Sequence, residues 1–351
     1  MFHGTFMATV TKTARKRRAA SAARARTGDP GPGWKIRRAA GIAVLTCDAL
    51  SRIPWLVHGF STRTGGESVL DKANRKQDKE RVLNLGFTEW DSREIVARNR
   101  RKLQKALEAE KMPLVPLHQI HSDVAYVIAR SSKRASKKAS KMAPGGAVKE
   151  TPLEPQQGDA MITREPGLLL GIQTADCVPI LLVDTKTRVV AAIHAGWRGT
   201  LARIAAKTLG RMRFEFGTQP GEVVAALGPA IGRCCYEVGP EVAQAFSGQF
   251  APAGEWFDGP FARLALGEEP NPLPWLTMIP PGHEAPPERV QLDLRAANRW
   301  QLLDAGVAAN NIAVSGLCTA CRTDLLFSYR REGPRSGRLM AVVGIAAATT
   351  R

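Results

Sequence analysis

The sequence lacks the features that define a membrane or secreted protein. No apolar run approaches the roughly 20 residues that a membrane-spanning helix needs, so we expect no membrane association. Only six cysteines occur in 351 residues, and their irregular spacing fits a reducing compartment better than a disulfide framework. The N-terminus also lacks the apolar segment of a secretory signal. We predict a cytoplasmic protein, with an organelle as the minor alternative because residues 1–28 contain several Arg but no Asp or Glu.

Acidic residues are scarce in two segments that carry most of the net charge of +18. Residues 1–38 contain ten Lys or Arg and one acidic residue, and residues 130–150 contain seven and one. Both segments are poor in aromatic residues, so they bury too little surface to offset the entropy of ordering. We predict a disordered basic arm over 1–38 and a basic loop insertion over 130–150. Nucleic acid is expected only as a non-specific partner of the arm, because no base-reading motif accompanies the charge.

The remaining chain, residues 39–351, reads as one domain of mixed α and β character. Apolar runs predict strands at 223–227, 312–314 and 339–345, and helical spacing predicts helices over about 91–110, 199–213 and 294–305. A capping pair, Asp91 with Glu94, is expected to open the first helix. Residues 251–289 are rich in Pro and Gly and predict a long surface excursion.

The densest set of chemically active residues lies between 158 and 199. Two apolar runs, 178–183 and 188–194, flank a turn-forming segment. If they pair antiparallel, Cys177 and His194 finish on the same sheet edge, and His121 offers a third ligand. One thiolate and two imidazoles can hold zinc with its fourth position open. The alternative is that Cys177 is a small buried apolar residue and His194 an ordinary core residue.

Several other polar side chains are candidates for substrate or anion binding. They are Arg63, in a turn-forming sequence, Asn99 with Arg100, and Arg198. Guanidinium groups match phosphate geometry with two hydrogen bonds. The same arginines could instead serve as surface or core-bridging residues.

The remaining thiol motifs predict no second metal site. Cys318 and Cys321 have CxxC spacing, but no further pair with the usual spacing follows, so we expect ordinary thiols. Cys234 and Cys235 are expected to be structural, because neighbouring side chains of an extended segment point to opposite faces.

Five motifs resemble one known family. They are Gln119-Ile-His-Ser122, Thr174-Ala-Asp-Cys-Val-Pro179, His194-Ala-Gly-Trp-Arg-Gly199, the segment 228–237 (GPAIGRCCYE) and the segment 327–333 (FSYRREG). With 58–66 (HGFSTRTGG), they closely resemble the YfiH-like family over roughly residues 55–346. That family is also called the multicopper polyphenol oxidase (laccase-domain) family and, more recently, the purine nucleoside phosphorylase family.

The resemblance implies a fold, a cofactor and an activity. The implied fold is α+β, a layered α/β/β/α sandwich with mixed sheets forming a single catalytic domain. His121, Cys177 and His194 would bind zinc and carry catalysis. Arg330, with Arg63, Asn99 and Arg198, would contact substrate. The implied reactions are phosphorolysis of adenosine, inosine and methylthioadenosine to free base and ribose 1-phosphate, and deamination of adenosine.

Other functions remain open at this stage. A cysteine hydrolase would use Cys177 as nucleophile, and an enzyme that edits cell-wall precursors is a further alternative. A copper polyphenol oxidase would need His-rich copper clusters that six histidines cannot readily build. A non-catalytic nucleic-acid binder would not need the His121, Cys177 and His194 set.

Overall fold

The computed structural model describes residues 29–71, 79–129, 156–258 and 290–347. The strands in these residues are β1 (Trp34–Ala39), β2 (Ile42–Cys47), β3 (Leu56–Ser61), β4 (Thr64–Asp71), β5 (Lys79–Val82), β6 (Leu114–Val115), β7 (Ala125–Val127), β8 (Ala160–Thr163), β9 (Leu169–Thr174), β10 (Val178–Asp184), β11 (Val189–Ala195), β12 (Val223–Leu227), β13 (Glu237–Val238), β14 (Phe257–Asp258), β15 (Val290–Leu292), β16 (Ile312–Val314) and β17 (Leu339–Ile345). The helices are α1 (Asp48–Ser51), α2 (Arg93–Ala106), α3 (Trp197–Leu201), α4 (Ile204–Phe216), α5 (Pro240–Gln249), α6 (Leu294–Asp304) and α7 (Tyr329–Glu332). In this described part of the chain, no helix is long and apolar enough to cross a membrane.

Two mixed sheets form the centre of the described structure. The first has the strand order β1-β2-β3-β17-β9-β6, and the second has the order β16-β12-β10-β11-β8-β7. Most neighbours pair antiparallel, whereas the edge strands β6, β7 and β16 pair parallel with their neighbours. The parallel edges make both sheets mixed, as predicted.

Side chains that alternate along the central strands create three apolar layers. On β10, Val178 and Ile180 face α4, α5 and α6, whereas Leu181 and Val183 face the first sheet. A third layer lies between the outer face of the first sheet and α2, which contributes Leu103. The order of layers is therefore helix, sheet, sheet, helix. This confirms the predicted α+β class and the α/β/β/α sandwich.

The predicted basic arm is too long at its C-terminal end. Trp34–Ala39 form β1 and pair with β2, because Trp34 is buried against Phe60 with ring centroids 5.2 Å apart. That apolar contact anchors a segment whose charge alone suggested disorder. Residues 1–28 and the predicted loop over 130–150 lie outside the described residues.

The predicted surface excursion over 251–289 is wrong at its start. Residues 253–256 form a 3₁₀ turn that leads into β14, and both Trp256 and Phe257 are buried. Their rings pack edge-on against Phe246 of α5, so aromatic burial keeps this segment in the core despite its Pro and Gly content. Residues 259–289 lie outside the described part of the chain.

Candidate functional site

The hairpin of β10 and β11 delivers two of the predicted ligands to one sheet edge. The strands pair antiparallel with Pro179 opposite His194, so Cys177, two residues before Pro179, lies diagonally across from His194. Gly196 follows β11, and a Cβ atom there would lie 3.0 Å from the Cys177 sulfur and 3.0 Å from the His121 ring. Glycine at this position therefore lets the three side chains approach closely.

His121 completes a cluster of three ligand atoms. Its Nε2 lies 3.8 Å from the Cys177 sulfur, and its ring centroid lies 4.9 Å from that of His194. The ligand atoms of all three residues lie within 4.8 Å of one another. Two ligands of a tetrahedral zinc ion, at about 2.3 and 2.1 Å from the metal, are separated by about 3.6 Å. The observed spacing fits a single metal ion.

A buried carboxylate, Asp159, holds the two histidines in place. Its Oδ1 lies 2.8 Å from Nδ1 of His194 and accepts the backbone N–H of His121 at 3.0 Å. Its Oδ2 accepts both the backbone N–H and the hydroxyl of Ser122. Because Nδ1 of His194 is occupied, Nε2 is the nitrogen that faces Cys177. In metal sites, a ligating histidine is usually oriented by a carboxylate or carbonyl group that accepts a hydrogen bond from its other ring nitrogen.

Sequence reasoning missed Asp159, although a signal was present. The residue directly precedes β8, and Ala160 pairs with Ile193 beside His194. The signal is an acidic residue just before the start of an apolar strand, where that strand pairs with the strand that carries His194.

The electrostatics of the cluster favour a thiolate. Burial alone would raise the pKa of Cys177, but the neighbouring His194 and His121 outweigh it and lower the pKa to about 6. Burial would lower the pKa of His194, whereas Cys177 and Asp159 raise it to about 9. Burial also opposes ionisation of Asp159, yet hydrogen bonds from His194 and Ser122 lower its pKa to about 2. The cluster therefore stabilises the Cys177 thiolate and the Asp159 carboxylate in their charged forms.

A cavity of about 750 Å³ opens onto the cluster. Flat aromatic side chains and guanidinium groups share its walls. The aromatic residues are Phe87, Trp197, Tyr236 and Tyr329, and the arginines are Arg100, Arg198, Arg330 and Arg338. Such walls can bind a planar ring and an anion at the same time.

The predicted Arg198 and Arg330 both line this cavity. Arg198 is exposed and lies over the ring of Trp197, with its guanidinium carbon 4.6 Å from the ring centroid. Arg330 donates its backbone N–H to Asp176 at 2.7 Å and its Nη1 to the carbonyl oxygen of Glu237 at 2.8 Å. The backbone and side-chain bonds fix the direction of Arg330 at the cavity wall.

Arg100 and Arg338 add two further cations. The Nε of Arg100 donates to the carbonyl oxygen of Leu85, and its guanidinium lies over Phe87. Its Nη2 is buried without a hydrogen-bond partner among the described residues. Burial lowers the pKa of Arg100 to about 10, which still leaves it charged at neutral pH. An unpaired buried donor at a cavity wall is costly unless an anion binds it.

The structure does not bring Arg63 and Asn99 to the cavity. Arg63 is buried and donates to Glu332 at 2.7 Å and to the carbonyl oxygen of Thr323 at 2.7 Å. Asn99 is buried, accepts the N–H of Glu67 and donates to Ser68. These internal bonds join separate parts of the fold, and neither side chain lines the cavity, so the expected substrate contacts of both residues are corrected.

Backbone strain accompanies the ligand cluster. His121 has a φ of 59° and Asp176, next to Cys177, has a φ of 96°. Asp176 is held by Thr319, whose hydroxyl donates to Oδ1 at 2.6 Å, and by the N–H of Arg330. Residues in such unfavourable conformations persist where surrounding bonds enforce them, commonly at functional sites.

The comparison with known families identifies the chain's relatives. Residues 57–346 match the model of the family described as multi-copper polyphenol oxidoreductase laccase. The chain belongs to this family. The resemblance that the sequence motifs indicated is thereby confirmed.

Individual relatives carry two kinds of name. Purine nucleoside phosphorylase YlmD of Geobacillus stearothermophilus is 34% identical over 289 residues, covering 82% of this chain and 89% of the relative. Its crystal structure superimposes with a TM-score of 0.66 over 89% of this chain and 99% of that one, at 31% identity. Adenosine deaminase RL5 from an unidentified prokaryote is 39% identical over 180 residues, covering 51% of this chain and 59% of the relative. The crystal structure of the Bacillus licheniformis hypothetical protein YfiH gives a TM-score of 0.67 at 26% identity, over 88% of this chain and 98% of that one.

Proposed function

We propose that this protein is a zinc-dependent purine nucleoside phosphorylase that also deaminates adenosine. The observation that carries the proposal is the His121, Cys177 and His194 cluster at a cavity lined by both aromatic rings and arginines. In this reading the three clustered residues hold the metal and carry catalysis. The substrates are adenosine, inosine or methylthioadenosine together with phosphate, in line with the names of the relatives.

The arginines supply the phosphate site. Phosphate takes charge-assisted hydrogen bonds from guanidinium groups, and an unpaired buried donor gains most from them. The Nη2 of Arg100 is such a donor, and Arg198 adds an exposed cation on the same cavity. In phosphorolysis the bond from C1′ to the base breaks, a bond from a phosphate oxygen to C1′ forms, and the departing base takes up a proton. Arg100 and Arg198 would hold the phosphate for that displacement.

The aromatic walls supply the site for the nucleoside. A purine stacks favourably on flat rings, and Trp197 and Tyr236 lie on the same cavity as the ligand cluster. Zinc bound by His121, Cys177 and His194 would supply Lewis acidity to the reaction. Asp159 keeps His194 in the tautomer whose Nε2 is free to ligate.

A cysteine hydrolase is the second candidate, and one observation favours it. A thiol with a pKa of about 6 beside an imidazole nitrogen at 3.8 Å is the arrangement of an activated nucleophile. Metal content separates the two candidates, because a zinc-bound thiolate is not a free nucleophile. A multicopper oxidase is disfavoured, because the whole chain contains six histidines and such enzymes need several His-rich copper clusters.

The test is a product assay on zinc-loaded protein. Adenosine, inosine and methylthioadenosine are incubated with and without phosphate, and free base and inosine are separated by chromatography. We expect phosphate-dependent free base from the nucleosides and slower formation of inosine from adenosine. His194→Ala should abolish both activities. Absence of both products with zinc present at the cluster would overturn the proposed function.

The phosphate site has a separate test. Arg100→Met keeps an apolar stem over Phe87 but removes the charge, and loss of a charged hydrogen bond costs about 1.5–3 kcal/mol. We expect the KM for phosphate to rise roughly 10- to 100-fold while deamination changes little. Arg213→Met, an exposed arginine of α4, is the matched control. Equal phosphate KM values in the two variants would refute the role of Arg100.

A further inference from the structure

We propose that Cys234, Cys235, Cys318 and Cys321 bind a single structural zinc ion, at a second site distinct from the His121, Cys177 and His194 cluster. All four sulfur atoms lie within 4.8 Å of one another. The proposal departs from the expectation that Cys318 and Cys321 are ordinary thiols, and it gives the structural role expected of Cys234 and Cys235 a chemical form. Four thiolates around one zinc ion form the closed coordination typical of structural sites, which leaves no position for water or substrate.

The distances between sulfur atoms match a tetrahedral zinc site. The sulfur of Cys321 lies 3.6 Å from that of Cys234 and 3.4 Å from that of Cys235. Zinc-to-sulfur bonds of about 2.3 Å in a tetrahedron place neighbouring sulfurs about 3.8 Å apart. A disulfide would need about 2.05 Å, and all four residues are free cysteines. A tetrahedral set of four sulfurs around one ion selects zinc or iron, and zinc is the common structural choice.

Cys234 and Cys235 both face the cluster because their segment is a turn. The backbone N–H groups of Cys235 and Tyr236 both donate to the carbonyl oxygen of Gly232, at 2.9 and 3.0 Å. This tight turn removes the alternation that an extended strand would impose. A Cβ atom on Gly232 would lie 3.2 Å from the sulfur of Cys234, so glycine leaves room for the sulfurs to converge.

The surroundings of the thiol cluster stabilise negative charge on sulfur. The backbone N–H groups of Gly232 and Cys321 both donate to the sulfur of Cys318, the first at 3.1 Å. The Nη2 of Arg331 lies 3.7 Å from the sulfur of Cys235. A metal site with net negative charge is expected to have backbone N–H donors to its sulfur ligands and a cation nearby.

The thiol cluster joins two segments that meet only through tertiary contact. Ala230 and Cys318 form an isolated parallel bridge, and the N–H of Thr319 donates to the carbonyl oxygen of Ala230 at 3.1 Å. The first segment leads to Tyr236 and the second to Arg330, both on the cavity wall. A zinc ion here would cross-link two walls of the cavity.

Metal analysis of matched variants tests the second site. Wild-type protein should contain about two zinc ions per chain, and Cys177→Ala and the Cys234→Ala/Cys321→Ala double variant about one each. Cys47→Ala, which removes a buried cysteine elsewhere, should keep the wild-type content. Wild-type zinc content in the double variant would overturn the proposal, as would iron at the cluster in place of zinc.

A measurement on wild-type protein covers the case in which the double variant fails to fold. Cys234 and Cys321 are exposed, so free thiols there would react at once with a thiol reagent. Bound to zinc, they should react slowly and release zinc, detected by a chromogenic chelator, as they are modified. Mass mapping identifies the modified cysteines. Rapid modification of Cys234 and Cys321 without zinc release would overturn the proposal.

Discussion

Replacing Asp159 by Asn tests how the His121, Cys177 and His194 cluster is held together. The two residues have nearly the same shape, so the change removes charge and alters hydrogen-bonding roles without leaving a cavity. Oδ1 of the carboxylate lies against His194 and the N–H of His121, whereas Oδ2 accepts from Ser122. Both oxygens must accept, but an amide offers one acceptor and one donor.

The amide has to satisfy one side at the expense of the other. If its oxygen accepts from Ser122, its NH₂ group faces Nδ1 of His194 and turns that nitrogen into an acceptor. The ring proton then moves to Nε2, which can no longer ligate a metal. If the oxygen faces His194, it still accepts the N–H of His121, but the bonds that Oδ2 accepts from the N–H and the hydroxyl of Ser122 are lost. Either outcome weakens zinc binding, and changes in such second-layer carboxylates typically cost 10- to 100-fold in metal affinity.

Zinc affinity measured by competition with a chelator gives the readout. We expect the dissociation constant of Asp159→Asn to rise by about 10- to 100-fold, equivalent to roughly 1.4–2.7 kcal/mol. Asp184→Asn is the matched control, because Asp184 is also fully buried and accepts from Lys186 and Thr187 at the far end of the same hairpin. Equal zinc affinity in the two variants would refute the assigned role of Asp159.

Three further predictions concern stability. Burial lowers the pKa of His58 from 6.5 to about 4 while its Nε2 accepts the N–H of Cys47, so the unfolded chain binds more protons between these values. The stability that neutral His58 contributes is fully present above pH 6.5 and falls by on the order of 3 kcal/mol toward pH 4. In denaturant titrations, the free energy of unfolding of His58→Gln should lack this pH-dependent loss. A variant with the same pH profile as the wild type would contradict the role of His58. Phe246→Ala removes a ring from a buried aromatic cluster and should lower the free energy of unfolding by about 3–5 kcal/mol. Phe214→Ala, at an 87% exposed site, should change it by less than about 0.5 kcal/mol. Similar losses of stability in the two variants would argue against the packing of Phe246 in that core. Ala40 has a φ of 49° in the turn before Gly41, so Ala40→Asn should stabilise by on the order of 1 kcal/mol, and a lower melting temperature would disprove the turn assignment.

Regular elements with purely local signals were predictable from the sequence. β12, β16 and β17 have the bounds expected from their apolar runs. The helix predicted over 91–110 is present as α2, but its cap is Ser92, whose hydroxyl accepts the N–H of Ile95. Asp91 was the expected cap, yet its carboxylate is bonded to Ser68 and Asn84. The choice between two adjacent cap residues depends on tertiary partners that a local pattern does not contain.

In the candidate site too, local contacts were predictable from the sequence and contacts between distant segments were not. Pairing across one short turn was enough to place Cys177 beside His194, whereas the His121 loop is held beside them by the carboxylate of Asp159, which lies just before β8. The thiol cluster forms because a β-bridge between Ala230 and Cys318 brings together two segments that are distant in the chain. The CxxC spacing of Cys318 and Cys321 alone therefore predicted no metal site, because the partner ligands come from a turn whose location depends on the fold.

Asp176 connects the two proposed metal sites with the cavity. Its backbone carbonyl accepts the N–H of Ile231 at 2.8 Å, which fixes the turn that carries Cys234. Its carboxylate accepts from Thr319, next to Cys318, and from the backbone of Arg330. Since Asp176 directly precedes Cys177, one strained residue sets the position of a ligand of the first site, the segments of the second, and a cavity arginine. Coordination of zinc by the thiol cluster would hold these segments together, so that Arg330 keeps its direction when substrate enters.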